Sequence, residues 1–277
     1  LLSELELSHK SKGEFTRFMA ELYAHTYNNF SAPKYSRELH AKLRELTNEP
    51  DHYRDIKKQS NDLVMSIYPD LKRMVEQSDN PFDTALRLAI AGNIIDFAVG
   101  SEFNLDAQIE HVLRTDFAID DSQELKERLR DAQTVLYIGD NCGEIVLDKL
   151  LIETIGHPNV YFALRGAPVI NDATIDDAKY VGIDRVAKVI SNGYDAPSTV
   201  LDCCSQEFLE IYSKADVIIS KGQGNLEGLL GEQRQNLFFL LMVKCDVIAD
   251  AIGVRKGDFV VKKNLNTDNA DVTDFHR

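Results

Sequence analysis

The 277-residue chain has no tryptophan, only four cysteines and no apolar run that approaches the length of a membrane span. A span needs about 18 uninterrupted apolar residues, and the longest candidate, NLFFLLMVKC, is roughly half that length. The missing tryptophan excludes nothing by itself. The four cysteines lack the close spacing of zinc or redox sites, and two adjacent cysteines would form only a strained bridge. We therefore expect no membrane association and a reducing, cytoplasmic location. The cysteines are Cys142, Cys203, Cys204 and Cys245.

Basic residues are also in the minority. The chain carries 31 Lys and Arg against 45 Asp and Glu, a formal net charge of −14. This charge repels nucleic acid and anionic membranes at long range, so we expect neither as a partner. An acidic protein that handles phosphorylated substrates needs local compensation by a cation or a metal ion. The chain begins at Leu1 rather than at a methionine, which leaves open whether residues precede it, and no signal-peptide pattern is present.

The periodicity of apolar residues changes near residue 131 and predicts two domains. Before it, segments such as FTRFMAELYAHTY and NDLVMSIYPDLKRMVEQ repeat apolar residues every three to four positions, which is typical of amphipathic helices. After it, short β-rich runs alternate with amphipathic helices, as in a parallel α/β sheet. We predict an all-helical domain at residues 1–130 and an α/β domain at residues 131–277.

The second half predicts a three-layer α/β/α fold with a doubly wound, mainly parallel sheet. The segments between its apolar runs are long enough for right-handed crossover helices. A sixth run, DFVVKK (258–263), is predicted as an edge strand. The other five predicted strands are TVLYIG (134–139), NVYFALR (159–165), VAKVIS (186–191), DVIIS (216–220) and FFLLMVKC (238–245).

Polar loops follow four of these strands: DNCGE, RGAPVINDAT, SNGYDAP and SKGQGN. In a doubly wound sheet, ligands bind beyond the carboxyl ends of the strands, where loops and helix amino termini converge. We therefore place the active site at this edge.

Two of the loops carry candidate metal ligands. Asp140 and Asn141 follow the first strand, and Asp172 occupies the matching place after the second. Two carboxylates and an amide are oxygen ligands that suit Mg²⁺, Mn²⁺ or another divalent ion, with water in the open positions. The alternative is that these residues only cap the helices that follow. No histidine falls in these loops.

The loop SKGQGNLEGLL resembles an anion cradle. Lys221 stands at the end of a strand, and Gly222 precedes a predicted helix, so a point charge, bare backbone N–H groups and a helix amino terminus come together. The alternative is an ordinary glycine-rich loop with a solvated lysine. Asn225 is either a ligand or a helix-start residue, and Glu144 either positions water or simply opens its helix.

Two further residues admit two interpretations each. Asn93 lies on an apolar helix face and either bonds within the core or faces the cleft between the domains. Arg165 ends the second strand and either binds a phosphate or pairs with a loop acid. A methyl-donor or dinucleotide loop is the rival interpretation of VLYIGDNCGE, but the G-x-G-x-x-G order is absent, as is the Walker order.

With these loops assembled, the sequence resembles the damage-control phosphatases, also called domain of unknown function 89 and related to the acidic-residue methyltransferase 1 proteins. The ordered series covers most of residues 50–262 and agrees with the predicted fold. It runs through DHYRDIKKQSN, AIAGNIIDFAVG, IGDNCGEIVLDKLL, LRGAPVINDATIDDA and ADVIISKGQGNLEGLL.

The resemblance implies one divalent metal ion (Mg, Mn, Co or Ni) held by Asp140, Asn141 and Asp172. It implies that Glu144, Lys221 and Asn225 lie near the substrate phosphate. Asn93 would face the same cleft as a substrate-binding residue. The expected activity is hydrolysis of small phosphate monoesters, such as sugar phosphates or damaged phosphometabolites.

In the mechanism we expect, the metal polarises a phosphoryl oxygen while Lys221 and the helix amino terminus neutralise developing charge. The nucleophile stays open between water and the Asp140 carboxylate. Two alternatives remain: an S-adenosylmethionine-dependent carboxyl methyltransferase, and a non-enzymatic protein that binds phosphometabolites. The oligomeric state is unknown from sequence.

Overall fold

The computed structural model describes residues 7–95 and 105–264, and within them seven strands form one sheet. The strand order is β1-β7-β6-β5-β2-β3-β4, and every neighbouring pair is parallel except β6 with β7. The predicted α/β class with a mainly parallel sheet is thereby confirmed. The strands are β1 (Ile119–Asp120), β2 (Val135–Ile138), β3 (Val160–Leu164), β4 (Lys188–Ser191), β5 (Val217–Lys221), β6 (Leu237–Met242) and β7 (Phe259–Lys263).

The prediction that DFVVKK forms an edge strand is wrong. Strand β7 lies inside the sheet, because β1 pairs with its outer side through Ile119 and Val260. Strand β1 has only two residues, so it carries no apolar run that a sequence pattern could detect. Strand β1 also lies within residues 1–130, so the prediction that this segment is all-helical is wrong. The division of the chain into two domains stays a prediction.

Helices cover both faces of the sheet. Side chains along β2 alternate between two cores, with Val135 and Tyr137 in one and Leu136 and Ile138 in the other, because successive strand residues point to opposite faces. Three layers result, as predicted. The α-helices of the described residues are α1 (His9–Thr26), α2 (Ala32–Thr47), α3 (Arg54–Gln77), α4 (Pro81–Ile95), α5 (Leu105–Arg114), α6 (Ser122–Asp131), α7 (Glu144–Ile155), α8 (Ile175–Val181), α9 (Gln206–Lys214), α10 (Gly222–Leu229) and α11 (Asp246–Ile252).

Helices α2 and α4 reach the region of the polar loops at the carboxyl edge of the sheet. Helix α4 approaches α7 so closely that a Cβ at Gly92 would lie 2.7 Å from Glu144 Cγ. From helix α2, Arg44 reaches two of the loops, donating at 2.8 Å to Asp195 and at 2.9 Å to the carbonyl of Pro168. Across 7–95 and 105–264, no helix has both the length and the apolar character that a bilayer span requires.

Strand β2 is the point at which the winding of the sheet reverses. Strands β3 and β4 follow on one side of it, and β5 and β6 follow on the other. A crevice forms beyond the carboxyl end of such a strand, and ligands bind there in doubly wound folds. The loop with Asp140 and Asn141 leaves β2 at this position.

Candidate metal and phosphate site

Backbone hydrogen bonds join the two loops that carry the predicted metal ligands. The N–H of Ala173 donates to the carbonyl of Asp140 at 2.8 Å, and the N–H of Cys142 donates to the carbonyl of Asn171 at 3.0 Å. Asn141 and Asp172 thus form a short antiparallel bridge. The loop turns at Ile170, whose φ of 46° is unusual for a β-branched residue and marks local strain. The pairing brings Asp140, Asn141 and Asp172 to one place.

Arg165 is the cation that faces both carboxylates. Its Nε donates to Asp172 Oδ2 at 2.6 Å, and its Nη2 donates to Asp140 Oδ1 at 3.0 Å. The side chain is only 1% exposed. Burial opposes its charge, but Asp172 and Asp140 outweigh this and raise its pKa. Of the two predictions for Arg165, pairing with loop acids is the one that the contacts match.

Opposing influences act on the pKa of the Asp172 carboxyl group. Burial raises its pKa to about 7, against the attraction of Arg165 and with the repulsion of Asp140 added. Asp140 and Asn141 are each 7% exposed and Asp172 is 5% exposed, so all three side chains lie just beneath the surface of the crevice. The amide of Asn141 donates to Asp140 Oδ2 at 3.2 Å.

Glycine is required where α10 begins. Gly222 has a φ of +76°, and a Cβ placed on it would overlap the carboxylate of Asp140. A left-handed backbone and the absence of a side chain together allow this approach. The amino terminus of α10 therefore lies against Asp140, and the predicted anion cradle stays a prediction.

Lys221 occupies a different environment from the one that its loop predicted. Its ammonium is fully buried and donates to the carbonyl of Ala89 at 2.8 Å, to Asp148 at 2.6 Å and to Glu144. An ammonium has three N–H donors, and three acceptors use them here. Burial disfavours the charge, but Asp148 and Glu144 raise the pKa of Lys221 above its ordinary value. The hydroxyl of Tyr137 also donates to Asp148, at 2.7 Å.

Asn225 connects the two buried charge clusters. Its amide donates to the carbonyl of Lys221 at 2.8 Å and to that of Gly139 at 3.2 Å. Its Oδ1 accepts from Arg165 at 2.8 Å and from the hydroxyl of Thr199 at 2.9 Å. Asn225 is fully buried, so its contacts are those of a residue that positions Arg165.

The sequence analysis missed several residues that shape the site. Asn61 of α3 accepts the N–H of Gly143 at 2.7 Å and so holds the turn from which α7 starts. Asp148 was visible as a lone carboxylate in the apolar run EIVLDKLLIETI, one helical turn after Glu144. Thr199 carried no sequence signal. The side chain of Asn93 lies outside the described residues, and its predicted role stays a prediction.

The donor set fits a hard divalent cation. Within the described part of the chain, no three His, Cys, Asp or Glu side chains are grouped to hold a metal ion. A cation at Asp140 and Asp172 would therefore add the amide oxygen of Asn141 and water, an all-oxygen set of the kind that Mg²⁺ and Mn²⁺ accept. With both carboxylates ionised, as a bound cation favours, they and Arg165 sum to a charge of about −1, and a divalent ion would turn the crevice positive toward a phosphate.

The chain belongs to the family described as the damage-control phosphatase ARMT1-like domain, whose model matches residues 2–260. It is 38% identical over 250 residues to damage-control phosphatase PH1575 of Pyrococcus horikoshii, covering 88% of this chain and 86% of that protein. It is 32% identical over 231 residues to a damage-control phosphatase of Archaeoglobus fulgidus, covering 81% and 80%.

A solved structure agrees with this assignment. The crystal structure of PH1575, a DUF89 family protein, superimposes with a TM-score of 0.85 at 36% identity, over 93% of this chain and 91% of that one. The predicted membership in the damage-control phosphatases is confirmed, and the names of these relatives support a phosphatase role.

Proposed function

We propose that this protein is a metal-dependent phosphatase that hydrolyses small phosphate monoesters, such as sugar phosphates or damaged phosphometabolites. The observation that carries the proposal is the pairing of the Asp140 and Asp172 loops at the sheet's reversal point, which gathers two carboxylates and an amide. Family membership supports the same chemistry. We also propose a cytoplasmic location, for which the four free cysteines are the support.

Asp140, Asn141 and Asp172 would hold one divalent ion, with Mg, Mn, Co and Ni as the candidates. Such an ion, when bound, polarises a phosphoryl oxygen and offsets its negative charge. Arg165 keeps one oxygen of each carboxylate in place, because its guanidinium spans Asp140 Oδ1 and Asp172 Oδ2. The planar fork of arginine suits this double contact better than the single charge of a lysine.

The amino terminus of α10 supplies the second part of the phosphate site in this proposal. Its first residue, Gly222, lies against Asp140, and backbone N–H groups at a helix start favour negative charge. Lys221 is proposed as a catalytic and phosphate-binding residue. To contact the phosphate, its ammonium must give up one of its three acceptors in the fold. Glu144 is the acceptor nearest in sequence to the metal loop. If Lys221 exchanged its bond to Glu144 for one to the phosphate, the Glu144 carboxylate would be free to hold water.

The experiment is an assay of the metal-stripped protein on p-nitrophenyl phosphate, with Mg²⁺, Mn²⁺, Co²⁺ or Ni²⁺ added in turn. We expect turnover to return with metal and to be lost in Asp140→Ala and Asp172→Asn. Asp176→Asn is the matched control, since Asp176 is an exposed acid four residues from Asp172 and makes the same charge change.

Turnover by Asp172→Asn at the wild-type rate would show that the metal assignment is wrong. Absence of turnover with every metal, from folded protein, would favour the methyl-transfer or metabolite-binding alternatives. Calorimetric titration with S-adenosylmethionine would then distinguish between those two.

A further inference from the structure

A cavity of about 530 Å³ lies beside α10, the helix whose first residue approaches Asp140. Its walls come from the α1–α2 connection (29–34), from residues 200–202 after β4, from α10 and from the start of α11. Cavities of this size hold small-molecule ligands in proteins. A phosphate ester bound at Asp140 would reach this cavity by extending along α10.

Helix α10 links this cavity to the proposed phosphate site. Its first residue, Gly222, touches Asp140, whereas Glu227 and Gly228 line the cavity. Five residues of helix rise separate Gly222 from Glu227, roughly 7 to 8 Å along the axis. The charge of Asp140 also acts on Glu227. Desolvation raises the pKa of Glu227, the hydrogen bond from Gln223 lowers it, and repulsion from Asp140 raises it further.

The charged residues of the cavity wall are mainly acidic. Asp202, Glu227 and Glu232 contribute three carboxylates, and Lys34 is the one basic side chain among the described lining residues. The remaining wall is largely apolar, including Leu201 and Ile248. Carboxylates accept hydrogen bonds from hydroxyl groups and repel anions. The wall therefore suits a neutral, hydroxyl-bearing group and opposes a second phosphate.

Glu227 is a solvent-exposed residue whose carboxylate is held in place by hydrogen bonds. The amide of Gln223 donates to Glu227 Oε1 at 2.8 Å, and the backbone N–H of Lys244 donates to Gln223 Oε1 at 2.8 Å. Gln223 also donates to the sulfur of Cys245 at 3.3 Å. This chain of bonds ties the carboxylate to the loop after β6, so its charge stays at the cavity wall.

We propose that Glu227 is a specificity-determining residue that makes the cavity accept the neutral polyol part of a monophosphate ester and exclude substrates with a second phosphate. The inference rests on the proposed phosphatase function and deepens it. One carboxylate about 6 Å from a doubly charged phosphate, in a medium as polar as water, disfavours that ligand about tenfold.

The test compares kcat/KM for glucose 6-phosphate and glucose 1,6-bisphosphate in wild-type protein and in Glu227→Gln. The substitution keeps an oxygen that can accept from Gln223 and removes the charge. We expect wild-type protein to prefer the monophosphate and Glu227→Gln to lower that preference about tenfold. High salt should shrink the difference between the two proteins, because it screens charge.

Glu127→Gln is the matched control. Glu127 is an exposed glutamate of α6 that accepts from Gln123 at 2.8 Å, four residues earlier, as Glu227 accepts from Gln223. Glu127→Gln makes the same charge change away from the cavity, so the preference for the monophosphate over the bisphosphate should stay at the wild-type value. Thermal melting of both variants establishes that they fold.

An unchanged preference in Glu227→Gln, or a wild-type protein that prefers the bisphosphate, would overturn the inference while leaving the phosphatase activity in place. If no ester is hydrolysed, the proposed function fails. Titration calorimetry with the same two sugars then measures charge selectivity without turnover. Equal affinities in wild-type and Glu227→Gln, or no binding of either sugar, would overturn the inference there too.

Discussion

Replacing Lys221 by methionine should destabilise the protein strongly. Methionine has nearly the length of lysine, so the substitution removes the charge with little change in shape. Glu144 and Asp148, whose side chains are both 0% exposed, then lose their ammonium partner. Breaking a buried ion pair from one side costs about 3 to 5 kcal/mol. For a chain of this size, this corresponds to a loss of roughly 6 to 20 °C in melting temperature. Differential scanning calorimetry measures it directly.

Two comparisons separate this effect from a general loss of a lysine. Lys58→Met removes an exposed pair with Asp62, at 2.5 Å with side chains 58% and 43% exposed, and such pairs contribute little to stability because water screens them. Adding Glu144→Gln and Asp148→Asn to Lys221→Met should recover much of the lost stability, because no uncompensated charge then remains. A melting temperature of Lys221→Met close to that of Lys58→Met would refute the reasoning.

Three further outcomes are expected. Gly222→Ala should abolish turnover and weaken binding of Mn²⁺, measured by titration calorimetry, because a side chain there meets Asp140 in a left-handed backbone; wild-type affinity would contradict the packing. Asn61→Leu should cost about 1 to 3 kcal/mol in urea unfolding, since the buried N–H of Gly143 loses its acceptor; an unchanged midpoint would count against that role. Burial lowers the pKa of His40 to about 4 in the folded protein, whereas an unfolded histidine has a pKa of about 6.5. As pH falls from about 6.5 to 4, the unfolded chain therefore binds a proton at His40 that the folded protein does not bind. Stability should therefore drop by up to about 3 kcal/mol between pH 6.5 and 4, and His40→Gln should flatten this dependence in urea titrations at each pH; parallel curves would exclude the histidine.

The central strands could be predicted from sequence because each is buried on both faces and reads as a continuous apolar run. The run TVLYIG, for example, predicts a strand at 134–139, and β2 spans Val135–Ile138. The order of the strands at the far side of the sheet could not be predicted. It depends on the two-residue pairing of Ile119–Asp120 with β7, which leaves no periodic trace.

The place of the candidate site could be predicted from topology, but the partners of its side chains could not. Loops at the carboxyl ends of parallel strands converge, so Asp140 and Asp172 could be expected near each other. Lys221 illustrates the limit. Its acceptors come from α4 and α7, at Ala89, Glu144 and Asp148, far away in the chain. A long flexible stem lets a lysine at a strand end reach either the crevice or the core, and only the packing of those helices decides which.

The bridge between Asn141 and Asp172 separates the work of the backbone from that of the side chains. The loop shape is maintained by main-chain groups at Asp140, Cys142, Asn171 and Ala173, which any residue except proline could supply as donors. If Asp140, Asn141 and Asp172 hold the metal ion as proposed, exchanging these side chains would alter the preferred ion or ester while the loops keep their backbone course. Related chains can then differ in their site chemistry while they keep the same backbone frame.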